Sequence, residues 1–299
     1  MTSTEATATA LEPFGARLHH AMATRGQLCV GIDPHARLLT AWGLNDDVAG
    51  LERFTLTVVD ALADRTAVFK PQSAFFERFG SRGIAVLERA VVRAREAGAL
   101  VLMDAKRGDI GSTMAAYAAT YLDKDSPLFC DAVTVSPYLG FESLRPALDA
   151  AAVCGAGVFV LALTSNPEGA EVQRATVPDG RSVAQVVLDH IAAENAGVRP
   201  LGSVGAVVGA TLARAGADLA VNGPLLAPGI GAQGATPADL PSLFGAALPQ
   251  VLPSVSRDVL RHGPDADALR NAVRAYADRV RAAVAGDDRP GDSGGNTVR

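Results

Sequence analysis

The stretch VLMDAKRGDI (101–110) places Asp104, Lys106 and Asp109 at the end of an apolar run. Asp104 and Lys106 stand two apart, so on an extended strand both side chains leave by the same face. Asp109 follows where the chain must already have turned into a loop. A second lysine, Lys70, ends the apolar run AVFKP (67–71). Charged groups are costly at the end of an apolar strand unless they pair or serve chemistry. If the two runs are neighbouring strands, two ammonium groups and two carboxylates converge and offset one another. Such an array keeps a lysine charged, ready to stabilise an anion or to give up a proton. Spacing alone leaves a structural ion-pair network open as the other reading.

A second constellation suits an anion. The segment APGIGAQGA (227–235) is glycine-rich, which lets backbone N–H groups approach a ligand closely. Arg257 ends the run VLPSVSR (251–257) and can hold phosphate oxygens in a forked geometry. Taken alone a glycine-rich loop is a turn; joined to Arg257 it predicts a phosphate site.

The elements that must position these groups are legible in the hydropathy. Apolar runs recur at 28–33, 67–71, 99–107, 132–138, 157–164, 204–211, 225–230 and 251–257. They are continuous rather than alternating, as for parallel strands covered on both faces. Helix-like stretches lie between them, including 51–64 and 84–98, the latter ending in Gly98 as a C-cap. The pattern predicts a single-domain (β/α)8 barrel over 12–285, with a flexible tail at 1–11 and a disordered one at 286–299. A doubly wound open sheet is the structural rival, but the first run is followed by DPHARLL and not by GxGxxG. Asp33, Lys70, Asp104, Lys106, Thr164, Thr211 and Arg257 all end their runs, at the rim where such barrels carry active sites. The long connection 165–203, with a helix around 182–195, reads as an excursion outside the barrel.

Composition narrows the field further. Of 299 residues, 48% are hydrophobic and 20% charged, enough for a large core. A net charge of −5 offers no basic surface for nucleic acid. No apolar run reaches the length of a membrane span, and MTSTEATATALEP lacks the order of a signal peptide, so a cytoplasmic location is expected. Cys29, Cys130 and Cys154 show no CxxC spacing and read as reduced, small hydrophobes. The histidines form no metal-like cluster, no metal site is expected, and Trp42 reads as packing.

DAKRGDI resembles the DxKxxDI signature of the orotidine 5′-phosphate decarboxylase family. FKPQSAFFERFG (69–80), VTVSPYLGFES (133–143), LTSNPEG (163–169) and APGIGAQG (227–234) resemble its longer bacterial subgroup. The resemblance implies decarboxylation of orotidine 5′-monophosphate to UMP without a cofactor. Lys70, Asp104, Lys106 and Asp109 match the family's charged array, with Lys106 the proton donor. It also implies a homodimer in which Asp109, Ile110 and Thr113 cross into the partner's site. Asp33 matches a ribose contact, and Ser143 a pyrimidine contact, although an N-cap role for Ser143 is equally open. Pro228, Gln233, Gly234 and Arg257 match the phosphate grip. Sugar-phosphate lyases of the same barrel, which use Mg2+, are the nearest alternative. A Schiff-base aldolase and a binding protein without catalysis are more distant ones.

Overall fold

The computed structural model describes residues 12–212 and 215–286. The expected tails therefore lie outside the described residues, apart from Gly286, which caps the last helix in a left-handed conformation. Eight parallel strands close a barrel in chain order. They are β1 (Cys29–Ile32), β2 (Val68–Pro71), β3 (Leu100–Arg107), β4 (Ala132–Val135), β5 (Gly157–Leu163), β6 (Val204–Val208), β7 (Leu225–Pro228) and β8 (Val251–Val255). All eight expected runs form strands, and β8 pairs back onto β1 through Cys29–Ser254 and Val30–Val255.

The helices are α1 (Phe14–Arg25), α2 (Ala36–Ala41), α3 (Val48–Leu62), α4 (Ser73–Glu77), α5 (Gly80–Glu96) and α6 (Gly111–Leu122). They continue with α7 (Arg145–Cys154), α8 (Ala170–Gln173), α9 (Val183–Glu194), α10 (Leu240–Phe244), α11 (Arg257–Leu260) and α12 (Ala266–Ala285). α3 and α5 are the helices expected at 51–64 and 84–98. Asp47 caps α3 by accepting from Gly50 N at 2.8 Å. Gly98 takes φ +81° just beyond α5, a conformation that side chains with a Cβ rarely adopt.

The strands read as continuous apolar runs because both faces are buried. One face fills the barrel interior with Val68, Leu100, Leu102, Phe159, Leu226 and Leu252, and the other packs beneath the helices. α1 closes the bottom: Phe14 and Leu18 are fully buried there, and the Phe14 ring meets Phe159 edge-on at 5.9 Å. Arg17 latches this plug by donating to buried Asp131 and to Gly155 O. With the floor filled, open space is left at the C-terminal rim.

Two expectations need correction. The helix inside 165–203 is no excursion: α9 packs against β5 and β6 and buries Ala184, Val187, Leu188 and Ile191. Its apolar spacing is that of a barrel helix, and the irregular part is confined to the segment before it. Strand–helix alternation also lapses once, since no helix follows β6 among the described residues. Trp42 packs as expected, near the Phe54 ring, with its indole N–H donating to Leu260 O at 2.8 Å.

Candidate active site

β2 and β3 are neighbours, so the lysine ending one faces the aspartate near the end of the other. Lys70 Nζ donates to Asp104 Oδ2 at 2.9 Å, and Lys106 Nζ donates to Asp104 Oδ1 at 2.6 Å. The Lys70 and Asp104 side chains are only 7% and 9% exposed, whereas Lys106 is 46% exposed. One ammonium is therefore buried in the cavity wall, and the other stands open to the cavity.

The backbone at Lys106 is unusual. Its φ is +49°, and the β3–β4 register shifts between Met103 and Arg107. A left-handed non-glycine residue at the end of a strand is strained and needs support. Thr134 on β4 supplies it, accepting from Ala105 N at 3.1 Å and Lys106 N at 2.9 Å. The Thr134 hydroxyl then donates to Asp104 Oδ1 at 3.0 Å. One threonine thus fixes both the backbone that carries the lysine and the carboxylate that holds it.

Charge decides the protonation of the buried pair. Burial pushes the Asp104 carboxyl up, but Lys70 and then Lys106 outweigh it and hold it well below the usual carboxylate range. Burial pushes Lys70 down, but Asp104 and then Asp33 outweigh that and raise it. Beneath them Cys29 on β1 is fully buried, and burial pushes its thiol up to about 12.

Lys70, Asp104, Lys106 and Thr134 line a cavity of about 440 Å³. Asp33 enters from the end of β1, its Oδ1 buried with no partner among the described residues. Pro228, Gln233 and Arg257 also line it, at and beyond the ends of β7 and β8. Arg257 opens α11, exposed, with no side-chain hydrogen bond or ion pair among the described residues. The loop after β7 is tightly wound: Gly231 N donates to Ala235 O and Gly234 N to Gly231 O, both at 2.7 Å. Gly231 has φ +81°, and a Cβ there would stand 2.5 Å from Asp258 Oδ2 and 2.9 Å from the Tyr276 hydroxyl. Tyr276 on α12 donates to that Asp258 oxygen at 2.6 Å. The loop therefore rests on a rigid polar pair immediately beside Arg257.

Seven of the binding and catalytic residues expected from sequence share this cavity, Asp33, Lys70, Asp104, Lys106, Pro228, Gln233 and Arg257, and so does Thr164, one of the expected rim residues. Five of the binding and catalytic residues do not line it. Gly234 lies at the outer bend of the β7 loop. Ser143 is half-buried and donates to Gly140 O at 2.6 Å, a local turn contact. Asp109, Ile110 and Thr113 lie in the loop after β3 and the first turn of α6. Asp109 Oδ1 accepts from Ile110 N at 2.8 Å, and Ile110 is 61% exposed. Polar residues not singled out from sequence also line the cavity, among them His35, Gln72, Thr134, Ser165, Ser254 and Ser256. Ser165 follows the end of one expected run and Ser256 directly precedes the arginine that ends another, so the rim rule that selected Asp33 and Arg257 could have found them.

Among the described residues no group of three or more His, Cys, Asp or Glu side chains stands together as a metal site. No helix among them is long and apolar enough to cross a membrane.

Residues 26–272 match the model of the orotidine 5′-phosphate decarboxylase / HUMPS family. An orotidine 5′-phosphate decarboxylase of Streptomyces coelicolor is 72% identical over 275 residues, 92% of this chain and 99% of the relative. That of Salinispora arenicola is 66% identical over 277 residues, covering 92% of this chain and all of the relative (100%). A crystal structure of a candidate orotidine 5′-phosphate decarboxylase from Streptomyces avermitilis superposes with a TM-score of 0.91 at 71% identity, covering 92% of this chain and 97% of that one.

Proposed function

The chain belongs to the orotidine 5′-phosphate decarboxylase / HUMPS family, and from that premise we propose that it converts orotidine 5′-monophosphate to UMP and CO2, the last step of UMP synthesis. The observation that carries the reading is the Lys70–Asp104–Lys106 array on the wall of a cavity that Arg257 also lines, where it can take a phosphate.

The reaction breaks the bond between C6 of the pyrimidine and its carboxylate. The electron pair stays on C6, CO2 leaves, and a proton replaces it. Nothing in the ring delocalises that pair, so the barrier in water is very high, and enzymes on such reactions lower it by more than about 20 kcal/mol. Three contributions combine here. Asp104, held ionised by two ammonium groups, faces the substrate carboxylate and disfavours the bound ground state. Lys106, the exposed ammonium of the array, stabilises the developing anion and then gives C6 its proton from Nζ. Lys70 stays buried and keeps Asp104 charged and in place. Arg257 and Gln233 hold the phosphate, so contacts remote from C6 assemble the closed site. Asp33 accepts from the ribose hydroxyls, and Ser165 rather than Ser143 offers a hydroxyl to the pyrimidine.

We assign Asp109, Ile110 and Thr113 to a partner's cavity in a homodimer. None of them lines the chain's own cavity, and Ile110 is an exposed apolar side chain. The adjacent loop after β4, tied to this one by Ser136 N donating to Arg107 O, exposes Tyr138 and Leu139 as well. Apolar groups clustered at one rim suit a subunit interface.

The test is loss of orotidylate absorbance, with and without EDTA. Activity that survives EDTA and falls at least about a thousandfold in Lys106→Ala, with UMP still bound, supports the reading. Near-normal turnover in that variant refutes the proton donor, and activity that needs a divalent metal points to the sugar-phosphate lyases instead.

A further inference from the structure

Ser256 stands between the end of β8 and Arg257, at the N-cap of α11. Serine at an N-cap ordinarily turns its hydroxyl back onto the first turn of the helix. Here it makes no such bond, and Ser256 Oγ is buried without any partner among the described residues. A buried unpaired hydroxyl is unfavourable, and native structures rarely keep one without a use.

The surroundings say what the use is. Val30 pairs with Val255, which sets Gly31 beside Ser256 across the β1–β8 seam. A Cβ on Gly31 would stand 2.8 Å from Ser256 Cβ, 3.1 Å from its Oγ and 3.1 Å from Asp33 Oδ2. The glycine thus lets the hydroxyl and the carboxylate share one corner. Both residues line the cavity, and Asp33 Oδ1 is the other buried cavity oxygen without a partner. A carboxylate can only accept and a serine hydroxyl can donate. The group that satisfies both at once is a ligand hydroxyl, which donates to Asp33 and accepts from Ser256.

We infer that Ser256 is a substrate-binding residue that, with Asp33, clamps one hydroxyl of the ribose. The assignment rests on the decarboxylase reading for the identity of the sugar. A neutral hydrogen bond of this kind changes affinity by about three- to tenfold. Ser256 therefore tunes selection for a ribonucleotide while Arg257 supplies the bulk of the phosphate affinity.

The experiment measures binding of UMP, 2′-deoxy-UMP and 3′-deoxy-UMP to the wild-type protein, Ser256→Ala and Ser256→Gly by titration calorimetry. Both variants should weaken UMP about three- to tenfold. One of the two deoxynucleotides should bind the variants as well as it binds the wild type, because the hydroxyl that Ser256 serves is already missing. Equal losses on all three nucleotides, or no loss on UMP, would overturn the assignment. Absence of UMP binding to the wild-type protein would overturn the decarboxylase reading itself, and so is distinguishable. A loss in Ser256→Ala that Ser256→Gly does not share would mark a packing effect and also reject the clamp.

Discussion

Replacing Lys70 by methionine keeps much of the side chain's volume and removes its charge from a site that is 7% exposed. Asp104 is then buried with one ammonium instead of two. Breaking a buried ion pair by removing one partner costs about 3–5 kcal/mol. Asp104 retains Lys106 and the Thr134 hydroxyl, at 2.6 and 3.0 Å. The expected loss is therefore nearer about 2–3 kcal/mol, or a fall in Tm of about 5–10 °C for a chain of this size. Urea or thermal unfolding at fixed protein concentration measures it, since subunit association also shifts apparent stability. The double variant Lys70→Met/Asp104→Asn removes both charges and should recover to within about 1 kcal/mol of the wild type. It should nonetheless be inactive. A folded, stable and inactive double variant means that the pair is kept for chemistry. A single variant that loses less than about 0.5 kcal/mol would refute the coupling.

The same pair fixes a pH signature. Asp104 has a depressed value, so its contribution is present above the ordinary 3.8 and is lost as pH falls through the depressed value. Lys70 has a raised value, so its contribution is present below the ordinary 10.5 and is lost as pH rises through the raised value. The stability difference between Lys70→Met and the wild type should be level from about pH 4 to 10. It should shrink beyond either end. A difference that changes steadily across neutral pH would contradict both assignments.

Arg257→Ala should weaken UMP about ten- to a hundredfold and leave the already weak binding of uridine unchanged, the range expected for charge-assisted hydrogen bonds; equal losses on both ligands would remove Arg257 from the phosphate. Tyr276→Phe removes the hydroxyl that holds Asp258 under Gly231, and should raise KM about two- to fivefold with kcat changed less; a fall in kcat alone would mean that the pair does not steady the phosphate loop. Mixing inactive Lys106→Ala and Asp109→Ala protomers should restore about a quarter of wild-type activity, because random exchange makes half the dimers mixed and each mixed dimer has one intact site; no recovery would place Asp109 in its own subunit's site.

The barrel was legible because burial on both faces of each strand leaves an unbroken apolar run, and most of the runs end in a polar rim residue. The buried part of the charged array was legible for the same reason: Lys70 and Asp104 are conspicuous where every neighbour is apolar. The local geometry of Lys106 was not. Strand alternation correctly aims it at Asp104, but φ +49° and the shifted β3–β4 register depend on Thr134, a residue of another strand whose hydroxyl carries no signal of its own. Asp109, Ile110 and Thr113 could be read as functional through family resemblance alone, since their neighbours would come from a second chain.

Three serines show how a rule tied to position differs from a match of letters. Ser143 belongs to a loop whose letters resemble the family's, and its hydroxyl makes a local turn contact with Gly140 O. Ser165 and Ser256 follow the ends of β5 and β8, where the strand delivers its next polar residue to the cavity whatever the letters around it. Their backbone position comes from the barrel, but their chemistry comes from close approach. Ser256 meets Asp33 because Gly31 has no side chain to hold the seam apart. Ser165 likewise fits against Gly209, whose Cβ would stand 3.0 Å from Ser165 N. A glycine facing a rim serine across neighbouring strands is therefore a readable signal of a polar group brought to a ligand. The substitution Gly31→Ala should cost UMP affinity at least as much as removing the Ser256 hydroxyl, because it displaces the Asp33 carboxylate as well; a Gly31→Ala variant that binds UMP like the wild type would show that the seam does not set this corner.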